Sequence, residues 1–369
     1  LACGIGAVLI ERYIVEDLVG GHVAHCYGHT FSDPLSRLAF QRALARVTGT
    51  PGSMVYGNTT IFVEREVENY ANLASYLLVD IIAQRTQPTG HGLNPVPVTE
   101  AMRIPEIDEI VDAHLFANRL VQRAEGYERL FDLQAAERLA DRLVEAGQRF
   151  KANVLRGLAG AGIDTANPFE MLLAIRRIGA RRLEELFGPG EPQEGALRNR
   201  LPVVRATTVA ALEAQGDGVV ATLSPPEQAA IRQARLTACV ACTDVHEYGK
   251  ILVETALERL GVAVSDAGVS TDPDVVARQA SQAGADLIAI STYNGVALGY
   301  LQALRQEMDR LGLALPVYIG GKLNQIPDDS VSSLPVDVTG DLEVLGAVTC
   351  PRVEDMLRGL LSMARERGR

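Results

Sequence analysis

The C-terminal part of the chain repeats one unit, a short apolar strand followed by a helix, and that repetition leaves few folds open. Strands are expected at 237–243, 262–267, 286–291, 316–319 and 336–339, with helices at 249–260, 273–283, 298–311 and 352–365. Five strands with helices between them predict a doubly wound open sheet of the flavodoxin-like (Rossmann-like) kind. Ligands of such sheets bind outside the carboxyl ends of the strands, so the residues at those ends are the first candidates for function.

The first of these strands runs into Asp244-Val245-His246-Glu247-Tyr248-Gly249 just ahead of a helix. A strand-to-helix turn there puts His246 at the carboxyl edge of the sheet, where it projects toward a ligand rather than into the core. Asp244, two residues earlier, can accept a hydrogen bond from the ring nitrogen not used for binding, which fixes the tautomer and raises ligand basicity. Gly249 lets the chain turn close to whatever sits above. Ser291-Thr292-Tyr293 with Gly295 ends the third strand, and Gly320-Gly321 ends the fourth. A small hydroxyl and a glycine pair on neighbouring strand ends make a narrow slot that backbone can line, as a long nucleotide-like tail requires. The plainer reading of His246, a capping or surface histidine, is disfavoured once the other two signals are counted, whereas Gly320-Gly321 by itself reads equally as an ordinary turn. Only the combination is informative.

On these residues, 235–369 resembles the cobalamin-binding domain of glutamate mutase, methylmalonyl-CoA mutase and methionine synthase, whose pattern is Asp-x-His-x-x-Gly, then Ser-x-Leu, then Gly-Gly. The resemblance implies that His246 replaces the cofactor's own dimethylbenzimidazole as the lower cobalt ligand, with Asp244 as its hydrogen-bonded partner. The cofactor-binding set it implies is Asp244, Val245, His246, Glu247, Gly249, Ser291, Tyr293, Gly295, Gly320, Gly321 and Lys322, the later members surrounding the displaced nucleotide tail. Tyr293 departs from the family, where Leu is usual; a phenol there can still pack on the benzimidazole, but its hydroxyl needs a partner.

The N-terminal half alternates helix-like stretches (5–18, 34–46, 63–75) with strand-like runs (22–28, 52–57, 77–83), which implies parallel strands with crossover helices. Three strands are too few for a closed barrel, which commonly takes about eight. Residues 107–156 read as packing helices from the spacing of Ile110, His114, Ala117, Leu120 and Val121. The cluster Phe187-Gly188-Pro189-Gly190-Glu191-Pro192 marks a linker, so the expected division is 1–186, a linker with helices over 187–234, and 235–369.

Pro97-Val98-Thr99-Glu100-Ala101, with Tyr27-Gly28 and the run from Ser53 to Asn58, is similar to the later part of the catalytic barrel of the glutamate mutase (methylaspartate mutase) large component. That resemblance, over roughly 5–185, implies a partial (β/α) TIM-type barrel. It also implies an adenosylcobalamin-dependent radical mutase, an isomerase acting on a small carboxylate or amino-acid substrate. Arg85 stands where the family has a cation at a strand end, and is the catalytic candidate for contacting a ribose or a substrate carboxylate; a solvated strand-end arginine is the plainer reading. The arginines that grip glutamate lie in an earlier barrel segment this chain does not contain, so the substrate is not carried over. Residues 1–185 are therefore expected to need barrel strands from another chain or from a longer form, a reading that the Leu1 start also favours. The alternative is a corrinoid carrier or cobalamin-sensing protein without mutase activity.

Composition narrows the partners. With 369 residues, 47% hydrophobic and 22% charged, the chain has material for two globular domains. A net charge of -11 without any Lys/Arg block argues against nucleic acid. No apolar run approaches the roughly 18–20 residues that span a bilayer, and no signal-type segment is present, so a cytoplasmic protein is expected. Five cysteines at irregular spacing fit a reducing compartment. Cys239 and Cys242 have Cys-x-x-Cys spacing, but on a buried strand an offset of three separates their faces, and small core hydrophobes are the better account. Among His22, His25 and His29 only the last two share a strand face, which disfavours a metal site.

Overall fold

Residues 1–27, 33–57, 62–63, 65–100, 104–194, 199–327 and 335–367 are described by a computed structural model of the chain, and they fall into two units, Leu1–Ala210 and Ala211–Arg369. In the first unit α1 (Ala2–Arg12) continues into a π-helical turn, Tyr13–Leu18. Then come β1 (Cys26–Tyr27), α2 (Pro34–Val47), β2 (Met54–Tyr56), α3 (Glu66–Thr86) and β3 (Gly92–Asn94). The helices α4 (Ile107–Val121), α5 (Leu133–Gly160) and α6 (Pro168–Phe187) follow, α6 being broken at Gly179. The three strands pair in the order β1-β2-β3, all parallel. Helix α2 starts where it does because the Asp33 carboxylate accepts the Ser36 N–H at 2.8 Å and Pro34 occupies the first helical position.

A buried ion pair fastens this unit. Arg37 on α2 donates to both carboxylate oxygens of Asp80 on α3, at 2.7 and 2.6 Å, and to the Tyr56 carbonyl at 2.8 Å; Arg37 and Asp80 are each 1% exposed. The guanidinium carbon lies 5.1 Å from the centre of the Tyr76 ring, whose hydroxyl accepts the Val96 N–H. One cation thus ties two helices to β2 and faces the ring that holds the segment after β3.

Two expectations for this unit are corrected. Residues 77–83 are not a strand but the middle of α3, and the third strand is β3. Leu77, Val79, Asp80, Ile81, Ile82 and Ala83 are all buried, so this stretch of the helix is covered nearly all round and its sequence shows an apolar run broken only by Asp80 instead of a stripe. Arg85, expected at a strand end, consequently lies in the last turn of α3, where it pairs with Glu128.

The second unit contains most of α7 (Thr207–Val220), then α8 (Pro225–Ala234), β4 (Thr237–Cys242), α9 (Tyr248–Arg259), β5 (Ala263–Gly268), α10 (Pro273–Gln282), β6 (Leu287–Thr292) and α11 (Ala297–Leu311). It ends with β7 (Val317–Gly321), β8 (Asn324–Gln325), β9 (Val336–Asp337), α12 (Thr339–Val344), β10 (Ala347–Cys350) and α13 (Val353–Arg367). The main sheet has the order β5-β4-β6-β7-β10 with every pair parallel, the doubly wound arrangement. Successive residues of β4 and β6 serve opposite cores. Ala238, Val240, Leu287 and Ala289 pack with residues of α9 and α13, whereas Cys239, Ala241, Ile288 and Ile290 pack with those of α10 and α11.

The expected last strand at 336–339 is also corrected. Val336 and Asp337 form only a two-residue antiparallel ribbon with β8, and the fifth strand of the main sheet is β10. The Val-Asp-Val-Thr alternation looked like a strand, but a half-exposed ribbon shows that pattern too.

The Arg37–Asp80 pair gives a direct test of what fastens the first unit. Arg37→Ala strands a buried carboxylate and is expected to cost about 3–5 kcal/mol in urea unfolding. Replacing both residues by apolar ones of similar volume recovers most of that. An unfolding midpoint for Arg37→Ala equal to that of the unsubstituted chain contradicts this role.

Candidate functional site

The register of the main sheet lines up Cys242, Ser291, Gly320 and Cys350 in one row near the carboxyl ends of β4, β6, β7 and β10. The chain leaves β4 through Thr243 and Asp244 and enters α9 at Tyr248, with Glu247 exposed at its cap. Between them Val245 is 70% exposed and the His246 side chain 45% exposed. This is the strand-end position the sequence implies for the histidine.

Asp244 organises the turn. Its Oδ1 accepts the backbone N–H of His246 at 2.8 Å and lies 2.6 Å from the ring nitrogen Nδ1. Its Oδ2 accepts the backbone N–H groups of Tyr293 and Asn294 at 3.0 and 3.1 Å, and lies 3.1 Å from the Thr243 hydroxyl. Burial works against the charge of this carboxyl, but the hydrogen bonds from the His246 backbone, its ring and the Asn294 backbone outweigh it and hold Asp244 below the usual carboxylate range. A charged Asp244 is an acceptor only, so in the neutral imidazole the short contact assigns the proton to Nδ1 and leaves the lone pair on Nε2. That is the tautomer a metal-binding imidazole needs.

Beside this turn lies a cavity of about 390 Å³. Gly249, Ser291, Gly320 and Gly321 of the expected set line it. The close approach at its wall explains the glycines. A β-carbon on Gly249 would stand 2.8 Å from Ser291 Oγ, and one on Gly320 2.6 Å from the Cys350 carbonyl. Gly321, at φ +102°, has the Thr292 carbonyl against it. Lys322, Tyr293 and Gly295 are outside the lining. Lys322 donates its backbone N–H to Thr292 at 2.9 Å, Gly295 accepts that of Ile326 at 2.8 Å, and the Tyr293 ring lies against His246, with centroids 4.6 Å apart.

The rest of the lining includes residues the sequence reading did not single out, among them Gln215 and Val219 of α7, Lys250 of α9 and Arg352 and Val353 after β10. Lys250 is buried and pairs with Glu254 and Asp266, each at 2.7 Å. Correct placement of β10 would have pointed to Cys350–Arg352 by the same strand-end rule that found Ser291. Thr243 and Asn294 carry no motif signal, because a backbone N–H or a small hydroxyl is recruited by position.

The other candidates do not join this site. Arg85 lies in the first unit, paired with Glu128. His25 Nδ1 is 3.0 Å from Glu11, and His29 lies outside the described residues. Among the described residues no group of three or more His, Cys, Asp or Glu side chains is arranged to hold a metal ion. Nor is any described helix long and apolar enough to cross a membrane. Cys239 Sγ faces the Val276 carbonyl and Cys242 Sγ the His246 carbonyl, and burial pushes both thiols up, Cys239 to about 12.

Comparison with known proteins places the same region. Residues 235–342 match the B12 binding domain family. Over 123 residues, 33% of this chain, the sequence is 30% identical to the methylmalonyl-CoA mutase large subunit of Propionibacterium freudenreichii subsp. shermanii, covering 16% of that protein. Over 81 residues, 22% of this chain, it is 32% identical to glutamate mutase sigma subunit 1 of Haloarcula marismortui, covering 54% of that protein. The chain thus spans about half or less of the length of these relatives. A crystal structure of a cobalamin-binding protein from Desulfitobacterium hafniense DCB-2 is similar at a TM-score of 0.30 and 17% identity, over 43% of this chain and 70% of that one. The second unit therefore carries a B12-binding domain, with the Asp244–His246 turn and the cavity wall formed by Gly249, Ser291, Gly320 and Gly321 inside the matched residues.

The burial of the thiols makes a prediction. At pH 8 in the native protein, Cys26, the exposed thiol, is expected to react first with a disulfide reagent, while Cys239, Cys242 and Cys350 react only on unfolding. Rapid native-state labelling of Cys239 or Cys242 contradicts their assignment as core residues.

Proposed function

We propose that this chain is part of a cobalamin-dependent mutase, in which His246 is the lower cobalt ligand and the cavity beside α9 receives the displaced nucleotide tail. The observation that carries the reading is the 2.6 Å contact between His246 Nδ1 and a charged, buried Asp244, which leaves Nε2 as the ligating nitrogen at a strand end. The residues present fit the group on two further counts. The cavity, at about 390 Å³, falls in the range of small-ligand sites. Its wall is kept open at Gly249, Gly320 and Gly321, where side chains would collide with neighbouring atoms.

In this reading Asp244 holds the imidazole proton on Nδ1 and raises the basicity of Nε2. The apolar wall of Val219, Val240, Leu252 and Ala289 excludes water from the slot, and the Ser291 hydroxyl offers a polar anchor within it. Cobalamin, when bound, supplies the radical chemistry of a carbon-skeleton or amino-group rearrangement, in its adenosyl form. The similarity to segments of methylmalonyl-CoA mutase and of the glutamate mutase sigma subunit supports an isomerase over a corrinoid carrier or a cobalamin sensor.

The first unit contributes the later part of the catalytic barrel in this proposal. Three parallel strands joined by helices α2 and α3 are what a segment of a (β/α) barrel contains. Among the described residues the outer edges of β1 and β3 have no strand partner, and the remaining strands come from a partner chain or from further sequence. The substrate is a small carboxylate or amino acid, in line with the barrel resemblance; Arg85, paired with Glu128 at a helix end, is not where a strand-end cation would meet it.

Binding measurements separate the parts of this proposal. Asp244→Ala is expected to weaken cobalamin binding about 10- to 100-fold. Ser291→Leu, which fills the slot, is expected to weaken cobalamin while sparing a corrinoid that lacks the nucleotide tail. Equal loss for both corrinoids contradicts the assignment of the slot. For the mutase activity, the complete assembly loaded with adenosylcobalamin is titrated with amino and acyl acids. A radical signal that appears only with substrate supports the proposal, and methyl transfer without rearrangement supports the carrier.

A further inference from the structure

One hydrogen bond does not fix the plane of an imidazole. The contact from Nδ1 to Asp244 anchors one corner of the His246 ring, but the side chain is 45% exposed and the terminal torsion of histidine has a broad well. A further constraint is the Tyr293 ring, whose centroid lies 4.6 Å from that of His246 with 32° between the planes, inside the range of attractive aromatic contacts. Tyr293 is itself placed by the same carboxylate, since its backbone N–H donates to Asp244 Oδ2 at 3.0 Å. Asp244 therefore holds both residues, His246 at one corner of its ring and Tyr293 at its backbone.

We infer that Tyr293 is a positioning residue whose ring, lying against the imidazole of His246, holds Nε2 in a single orientation for the metal. The inference rests on the reading of His246 as the cobalt ligand and adds a determinant to it. An aliphatic side chain at this position has no flat face to offer and leaves the imidazole free to tilt about the Asp244 contact. Because the contact is between rings, phenylalanine preserves it and leucine removes it.

The test uses the full chain, unsubstituted and as Tyr293→Leu and Tyr293→Phe. In the cofactor-free protein, NMR is expected to show His246 ring protons shifted upfield by the neighbouring ring, a shift kept in Tyr293→Phe and lost in Tyr293→Leu. After loading with cob(II)alamin, Tyr293→Leu is expected to bind about 2- to 10-fold more weakly and to show a smaller fraction of molecules with histidine-nitrogen coupling in the EPR spectrum, with Tyr293→Phe unchanged. Coupling and affinity in Tyr293→Leu equal to those of the unsubstituted protein overturn the role of Tyr293 and leave the ligand assignment standing. Equal loss in Phe and Leu variants assigns the effect to the hydroxyl and overturns the ring contact. No histidine-nitrogen coupling in the unsubstituted protein removes the ligand reading and this inference with it. Should Tyr293→Leu fail to fold, an unshifted His246 signal in the cofactor-free unsubstituted protein still overturns the inference.

Discussion

Much of the candidate site's geometry depends on one buried carboxylate. Asp244 receives the backbone N–H and ring N–H of His246 on one oxygen and the N–H groups of Tyr293 and Asn294 on the other. A charge taken out of water is tolerated only when its lone pairs are satisfied, and here the donors come from two different strand-end loops. The carboxylate consequently staples the turn after β4 to the turn after β6. These strands are neighbours, yet the helices that follow them pack on opposite faces of the sheet, α9 on one and α11 on the other. A crevice opens where connections diverge in this way, and Asp244 fixes the groups on both of its sides.

This arrangement also divides the work between rigid and adjustable parts. The wall of the slot is built from strand ends whose register is set by the sheet, with Ser291 opposite Gly320 and Gly320 opposite Cys350. The imidazole proposed as the ligand sits on an exposed turn, with Asp244 hydrogen-bonded to it and the Tyr293 ring against it. A site whose reactive atom stands on a loop needs such support from packed elements behind it.

Much of this was legible in the sequence, for identifiable reasons. Strands β4 to β7 show compact apolar runs closed by turn residues, and the strand-end rule leads from them directly to His246, Ser291 and Gly320-Gly321. Three things were not legible. Around 76–83 helix α3 is buried on nearly every side, so the apolar run there carries no helical stripe, and Arg85 was placed at a strand end as a result. Strand β10 is four residues long and stands behind a more strand-like ribbon at 336–337, which hid the Cys350–Arg352 side of the cavity. The contact between Tyr293 and His246 joins residues 47 positions apart in the sequence; it exists because β4 and β6 are adjacent, and only the register reveals it.

The central claim, that His246 is the cobalt ligand, is tested most directly by EPR of the chain loaded with cob(II)alamin after labelling its histidines with nitrogen-15. The structure predicts a coupling pattern from one histidine nitrogen that changes with the label and disappears in His246→Ala. A spectrum insensitive to the label, or one that survives His246→Ala, contradicts it.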